Sequence, residues 1–249
     1  MNKTIRYLGA STLALAGFTA AAADDVGDLL SAADRYRMAS QNMRIETQVA
    51  VLDSDGAVEK ERAYTVYAQA RHQSLVLMQS PAEKGQKVLM LADDFWMLLP
   101  GSQRPLRITP TQKLLGDAST ADVATLSWAD DYSGTVVGEE PCGEPARACQ
   151  HLALQARRKA VTYQRIELWL GKARHEPVKA DLYVQSDKLA KRAFFMLDPA
   201  NPNAVAAMVL HDQLTNHKVT RVSYLGKKAH TVPENWLNPM FLARNTPLE

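Results

Sequence analysis

The chain has 249 residues, 46% hydrophobic and 22% charged, with 12 Gly and 12 Pro. That balance suits a globular protein with one large core or two small ones and excludes a disordered, tail-like one. Lys plus Arg number 29 and Asp plus Glu 27; with Lys3 and Arg6 set aside, 27 of each sign remain, so no net field holds nucleic acid or an anionic membrane by charge alone.

Residues 1–23 read as an export signal. Lys3 and Arg6 form a basic start, an apolar run follows from Leu8 to Ala22, and Ala20-Ala21-Ala22-Ala23 precedes Asp24, the order that signal peptidase reads. Cleavage is expected after Ala23, leaving 24–249 as a single mature domain. The rival, a membrane anchor, needs ~20 apolar residues where this run has roughly 15. No Cys lies in the segment, so no lipid attachment is expected, and the predicted location is the periplasm.

Val26, Leu29, Leu30, Ala33, Tyr36 and Met38 recur at helical spacing, predicting an amphipathic helix over Val26 to Ala39. The period then becomes two: Met43, Ile45, Thr47, Val49 and Val51 alternate with polar or small residues, Asp53-Ser54-Asp55-Gly56 makes a turn, and Glu61 to Ala70 alternates again. This is a long antiparallel hairpin. Leu75 to Met78 extends the meander. Lys87 to Ala92 and Phe95 to Leu99 are apolar on both faces, as covered strands are. Helices are the available lid: the first one, and a short segment from Ser119 to Leu126 with Ser119 as N-cap and Asp122 three residues on. Gln103 to Thr109 is one more strand.

Further strands are predicted at Tyr132 to Val137, Ala148 to Leu154, Tyr163 to Leu170, Glu176 to Val184, Leu189 to Leu197 and Lys218 to Tyr224; Ala204 to Leu210 reads as strand or helix. Ten or so antiparallel strands with few helices call for one strongly curved sheet, since a flat one of that size is unusual. Cys142 and Cys149 bracket a turn-forming stretch and read as a disulfide in an oxidising compartment, worth roughly 2–3 kcal/mol; a redox or metal pair is the alternative, with no Cys-x-x-Cys and no His at ligand spacing to support it.

Catalytic signatures are missing: no Gly-x-Ser-x-Gly, no His-Glu-x-x-His, no phosphate loop and no dinucleotide fingerprint. The six His are scattered and read as surface or strand-end residues. Asp93-Asp94 and Asp130-Asp131 sit at element ends where carboxylates are ordinarily solvated. No enzyme activity, cofactor or metal is expected.

The stretch Phe95-Trp96-Met97-Leu98-Leu99-Pro100-Gly101-Ser102-Gln103-Arg104-Pro105-Leu106-Arg107-Ile108, followed by Leu115 to Val123 and Asp131-Tyr132, resembles the outer-membrane lipoprotein-sorting protein family, exported relatives of the periplasmic carrier LolA. Ile166 to Leu170, Glu176 to Tyr183 and the closing Val232 to Leu242 resemble it too. The resemblance spans roughly Gln41 to Leu242. It implies a mainly β (α+β) fold, a single curved antiparallel sheet forming an unclosed half-barrel with a helical lid. It also implies a function: a carrier or chaperone that holds lipid, or lipoprotein acyl chains, against the concave face. Met43, Ile45, Val49, Met90, Trp96, Leu98, Leu168 and Leu182 are expected to line that cavity, with Arg104 and Arg107 at a rim where guanidinium groups meet head-group phosphate. The resemblance further suggests an inner-membrane exporter of the resistance-nodulation (RND) type as partner. The alternative is a sensor module that docks a membrane protein, as in RseB-type proteins.

Overall fold

The computed structural model describes residues 25–116, 118–124, 127–159, 161–214 and 219–244; the export signal expected over 1–23 lies outside them. The chain opens with α1 (Val26–Arg37), capped by the Asp25 side chain, which accepts from the Gly27 N–H at 2.9 Å, and closed by Arg35 and Arg37 in the last turn. The macrodipole favours that order of charge. Strands β1 (Met43–Leu52), β2 (Val58–Gln69), β3 (Gln73–Met78), β4 (Lys87–Leu91), β5 (Asp94–Leu98) and β6 (Leu106–Ile108) follow as a meander. A crossover carries the short strands β7 (Lys113–Leu115) and β8 (Ala118–Ser119) and the helices α2 (Thr120–Ala124) and α3 (Trp128–Asp131). The second meander is β9 (Tyr132–Cys142), β10 (Arg147–Ala156), β11 (Arg165–Gly171), β12 (Pro177–Tyr183), β13 (Leu189–Leu197), β14 (Val205–Asp212) and β15 (Val219–Ala229). A 3-10 turn (Glu234–Leu237) and α4 (Pro239–Leu242) end it.

Thirteen strands form one antiparallel sheet in the order β6-β5-β4-β3-β2-β1-β15-β14-β13-β12-β11-β10-β9. The two meanders join in the middle through the β1–β15 pair, Met43 opposite Ala229 and Leu52 opposite Val219. β6 and β9 are the free edges, so the wall is not closed into a barrel. Because β6 and β9 are consecutive large-sheet strands at opposite edges, the crossover between them traverses the full width of the sheet. It runs over the concave face: Ala118, Val123, Ala124 and Trp128 share one buried cluster with Leu29, Leu30 and Tyr36 of α1 and with Met43, Ile45, Met90, Phe95, Ile166, Leu168, Leu182 and Phe195 of the strands. Gly116, in the β7–β8 turn, has φ +56°, and a Cβ there would stand 2.5 Å from Val51 and 2.6 Å from Thr220. Glycine lets the crossover settle directly on the two central strands.

The doubly apolar strands β4 and β5 are covered on both sides. Val88, Met90 and Phe95 face the concave cluster, whereas Leu89 and Leu98 face a second, convex cluster completed by Val232, Trp236, Leu242 and Ala243. The helical lid foreseen over this part of the sheet is α1 with α2 and α3; the convex cover is the closing segment. Cys142 and Cys149 are bonded across the β9–β10 hairpin, their Cα atoms 5.8 Å apart. No helix among the described residues is long and apolar enough to cross a membrane.

Candidate functional site: a roofed hollow with a polar mouth

The helices that cover the concave face are fastened by polar contacts. Asp34 of α1 accepts hydrogen bonds from the N–H groups of Trp128 (2.7 Å) and Ala129 (2.9 Å) and from the Ser127 hydroxyl (3.1 Å), so one helix supplies the cap of another. Burial pushes the Asp34 carboxyl above its ordinary range despite the lowering effect of Arg37 and these donors. The Arg37 guanidinium stands 4.0 Å over the Trp128 ring, which meets Phe195 edge-on at 5.5 Å.

The start of α2 is held by Asp122, which is buried. It accepts from the Ser119 N–H and hydroxyl (both 2.7 Å), from the Tyr163 hydroxyl (2.7 Å) and from the Lys191 ammonium (2.5 Å). The Ser119–Asp122 half of this set is the cap pair expected from the sequence. Burial acts to raise the carboxyl, but Lys191 and the hydrogen bonds outweigh it and hold it below the usual range.

At the mouth, Arg158 in the β10–β11 loop reaches both Asp131 at the end of α3 (2.5 and 3.2 Å) and Asp93 in the β4–β5 turn. It thereby spans the gap between the two wings of the sheet. His72, from the β2–β3 turn, places Nδ1 3.5 Å from Asp131. Asp131 was expected to be solvated and is instead completely buried, because α3 turns it inward beneath this loop. Burial raises its carboxyl, His72 working the other way, and its Oδ2 is buried without a hydrogen-bond partner.

Two cavities lie behind these contacts. The inner one, about 70 Å³, is lined by Met90, Phe95, Trp128, Tyr132, Ile166, Leu182, Phe195 and Met208, with Asp122, Asp131, Arg158 and Tyr163 in its walls. The outer one, about 420 Å³, opens between the end of α1 (Asp34, Arg35, Met38), the β2–β3 turn (Ala70, Arg71, His72) and the start of α3 (Ser127, Ala129, Asp130). His72, Met90, Ser127 and Asp131 line both.

Of the residues expected to line the cavity, Met90 and Leu182 do so. Met43, Ile45, Val49 and Leu168 are buried in the same concave cluster but lie outside the lining. Trp96 and Leu98 belong to the convex cluster: in β5 they alternate with Phe95 and Met97, which face the hollow side. Arg107 is no rim residue of either cavity; it pairs with Asp94 at 2.5 Å and stacks on Trp96 at 4.7 Å on the convex side. Arg104 lies in the exposed β5–β6 loop. The residues that do surround the mouth, Arg35, Arg71, His72 and Arg158, carried no motif by which sequence alone would single them out. Among the described residues no group of His, Cys, Asp and Glu is placed to hold a metal ion.

An open, roofed half-barrel of this kind is the fold of the LolA superfamily. A LolA superfamily protein of Nitrosomonas europaea matches with a TM-score of 0.78 at 23% identity, over 87% of this chain and 98% of that one. A putative outer membrane lipoprotein-sorting protein domain of Vibrio parahaemolyticus gives 0.66 at 18% identity, over 86% and 98%, and a DUF1329 family protein of Desulfovibrio piger 0.67 at 22%, over 85% and 95%. A family model described as "Uncharacterized protein" matches residues 70–244, and the chain belongs to that family. No curated protein matches the chain in sequence.

Proposed function

We propose that the protein is a periplasmic carrier that shields the acyl chains of a lipid or lipoprotein between its sheet and its helical roof. The observation that carries this reading is the construction of the roof: a crossover with an apolar underside, pinned to the rest of the molecule at a few polar points, Asp34, Asp122 and Arg158. An inner space of about 70 Å³ is less than half the ~150 Å³ that admits benzene, so on this reading an acyl chain enters only when the roof moves. Loading lifts α2 and α3 and replaces their apolar contacts with those of the guest. Each buried CH₂ contributes about 0.8 kcal/mol, so a 16-carbon chain supplies on the order of 10 kcal/mol before ordering costs, to be set against the pins that loading breaks. Capture and release by motion of the roof require no chemical step.

Similarity in fold to lipoprotein-sorting proteins supports the same reading. A transporter of the RND type is the partner to test first, on the sequence resemblance. The deciding experiment is extraction of protein purified from cells, followed by mass spectrometry. Acyl-bearing molecules in stoichiometric amount are expected. Protein that carries none, and that takes up no fluorescent fatty-acyl probe, overturns the proposal; an empty hollow with tight capture of a membrane protein supports the sensor alternative instead.

A further inference from the structure

We infer that the outer cavity is the head-group compartment for the amphiphile whose tail the hollow takes, and that the head carries a phosphate ester held by Arg35 and Arg71. This rests on the carrier reading and narrows it from any acyl chain to phospholipids. At about 420 Å³ the compartment falls in the range of small-molecule sites, and it meets the apolar hollow along His72, Met90, Ser127 and Asp131, so a head seated there leads directly to the space the tail takes once the roof lifts.

The cations around the two cavities divide into committed and uncommitted. Arg37 is stacked on Trp128 and paired with Asp34, and Arg158 is engaged by Asp131 and Asp93. Arg35, in the last turn of α1, and Arg71, in the β2–β3 turn, both line the outer cavity, and among the described residues neither guanidinium has an ion-pair or hydrogen-bond partner. Guanidinium groups suit phosphate oxygens, which they meet two N–H groups at a time.

The turn that carries Arg71 is also conformationally unusual. Arg71 and His72 have φ of 62° and 54°, successive left-handed residues where such hairpins normally use Asn or Gly. Side chains kept in that region at a cost in strain cluster at ligand clamps, and both of these line the cavity. Asp131, which lines the compartment beside His72, offers an acceptor: its Oδ2 is buried and unpartnered, suited to a hydroxyl or ammonium donor on the same head. Cations and carboxylates lining one compartment match a phosphodiester bearing an amine better than they match bare phosphate.

The test compares dioleoyl phosphatidylethanolamine with dioleoylglycerol, each traced by a small, equal fraction of its analogue in which one oleoyl is replaced by a fluorescent acyl chain, and uses tail-less glycerophosphoethanolamine as competitor. The wild-type protein is expected to bind the phosphatidyl probe at least about tenfold more tightly, the effect of one charge-assisted hydrogen bond. The variant Arg35→Gln/Arg71→Gln loses that preference while its affinity for dioleoylglycerol changes by less than about twofold, a measurement that also certifies its fold. Equal binding of the two lipids by the wild type, or equal losses in the variant, overturns the head-group assignment and leaves the carrier reading standing. Displacement of the probe by the competitor at equal concentration also overturns it, in favour of a separate phosphate site. If neither lipid binds the wild type, the carrier reading falls and this inference with it.

Discussion

Asp122 and Lys191 show how a single pair holds the roof to the wall. Both are buried, at 2.5 Å, and removing one partner of such a pair leaves an uncompensated charge in the interior. Lys191→Met is expected to cost about 3–5 kcal/mol at neutral pH, read by chemical denaturation; a loss under about 1 kcal/mol, typical of an exposed pair, would show that Asp122 does not depend on it. The pH dependence has a definite sign. The native Asp122 carboxyl lies below its ordinary value, so its contribution is complete above the unfolded value of ~3.9 and is lost as pH falls toward the native one. In the variant, burial is opposed only by the Ser119 and Tyr163 hydrogen bonds, so the carboxyl is expected to rise above the unfolded value, and folding then takes up a proton. The gap between variant and wild type should therefore narrow between pH 7 and pH ~4.5. At this scale the sequence disclosed only the local half of the site. Ser119 and Asp122 were readable as a cap pair three residues apart, but Tyr163 and Lys191 reach Asp122 from 41 and 69 residues away, and no pattern in the chain announces that meeting. Trp96 and Leu98 were assigned to the hollow because a strand apolar on both faces does not say which face is concave.

The helix α3 has four residues and owes its position to α1, not to any helical tendency of its own, since so short a helix is unstable alone. Asp34→Ala removes the acceptor for Trp128 N–H, Ala129 N–H and the Ser127 hydroxyl. The expected cost is about 1–2 kcal/mol, the size of a lost cap, with faster amide exchange at 127–131 and unchanged exchange in the sheet. Exchange at 127–131 equal to wild type would show that α3 is held by its apolar contacts alone. The same dependence on tertiary contact explains which elements were visible beforehand. The β1–β2 hairpin was, because its alternation is regular and Asp53 closes the turn by accepting from the N–H groups of Asp55 and Ala57. α3 was not, being too short to show a period. β14 stayed undecided because Ala204 to Leu210 is apolar almost throughout, and β9 runs to Cys142, beyond the expected Val137, because an exposed edge strand has no buried face to alternate against.

The order of strands dictates what the molecule as a whole can do. With β1 and β15 paired at the centre and the crossover stretched between the outer edges, the wall is continuous while the roof is tethered, so the natural opening is at the mouth, between the β4–β5 turn and the β10–β11 loop. Arg158 closes that gap by engaging Asp93 on one wing and Asp131 beneath the other. Replacing Asp93 and Arg158 by Cys and joining them with a short reducible crosslinker would fix the wings together; Cys142 and Cys149 are already bonded to each other and do not compete. Linked in the empty state, the protein is expected to take up a fluorescent acyl probe at least about tenfold more slowly than before linking, with the rate restored when the linker is reduced. Uptake at the unlinked rate would mean that guests pass elsewhere, beside α1 or across the free edge of β9, and that Arg158 joins the wings without guarding the way in.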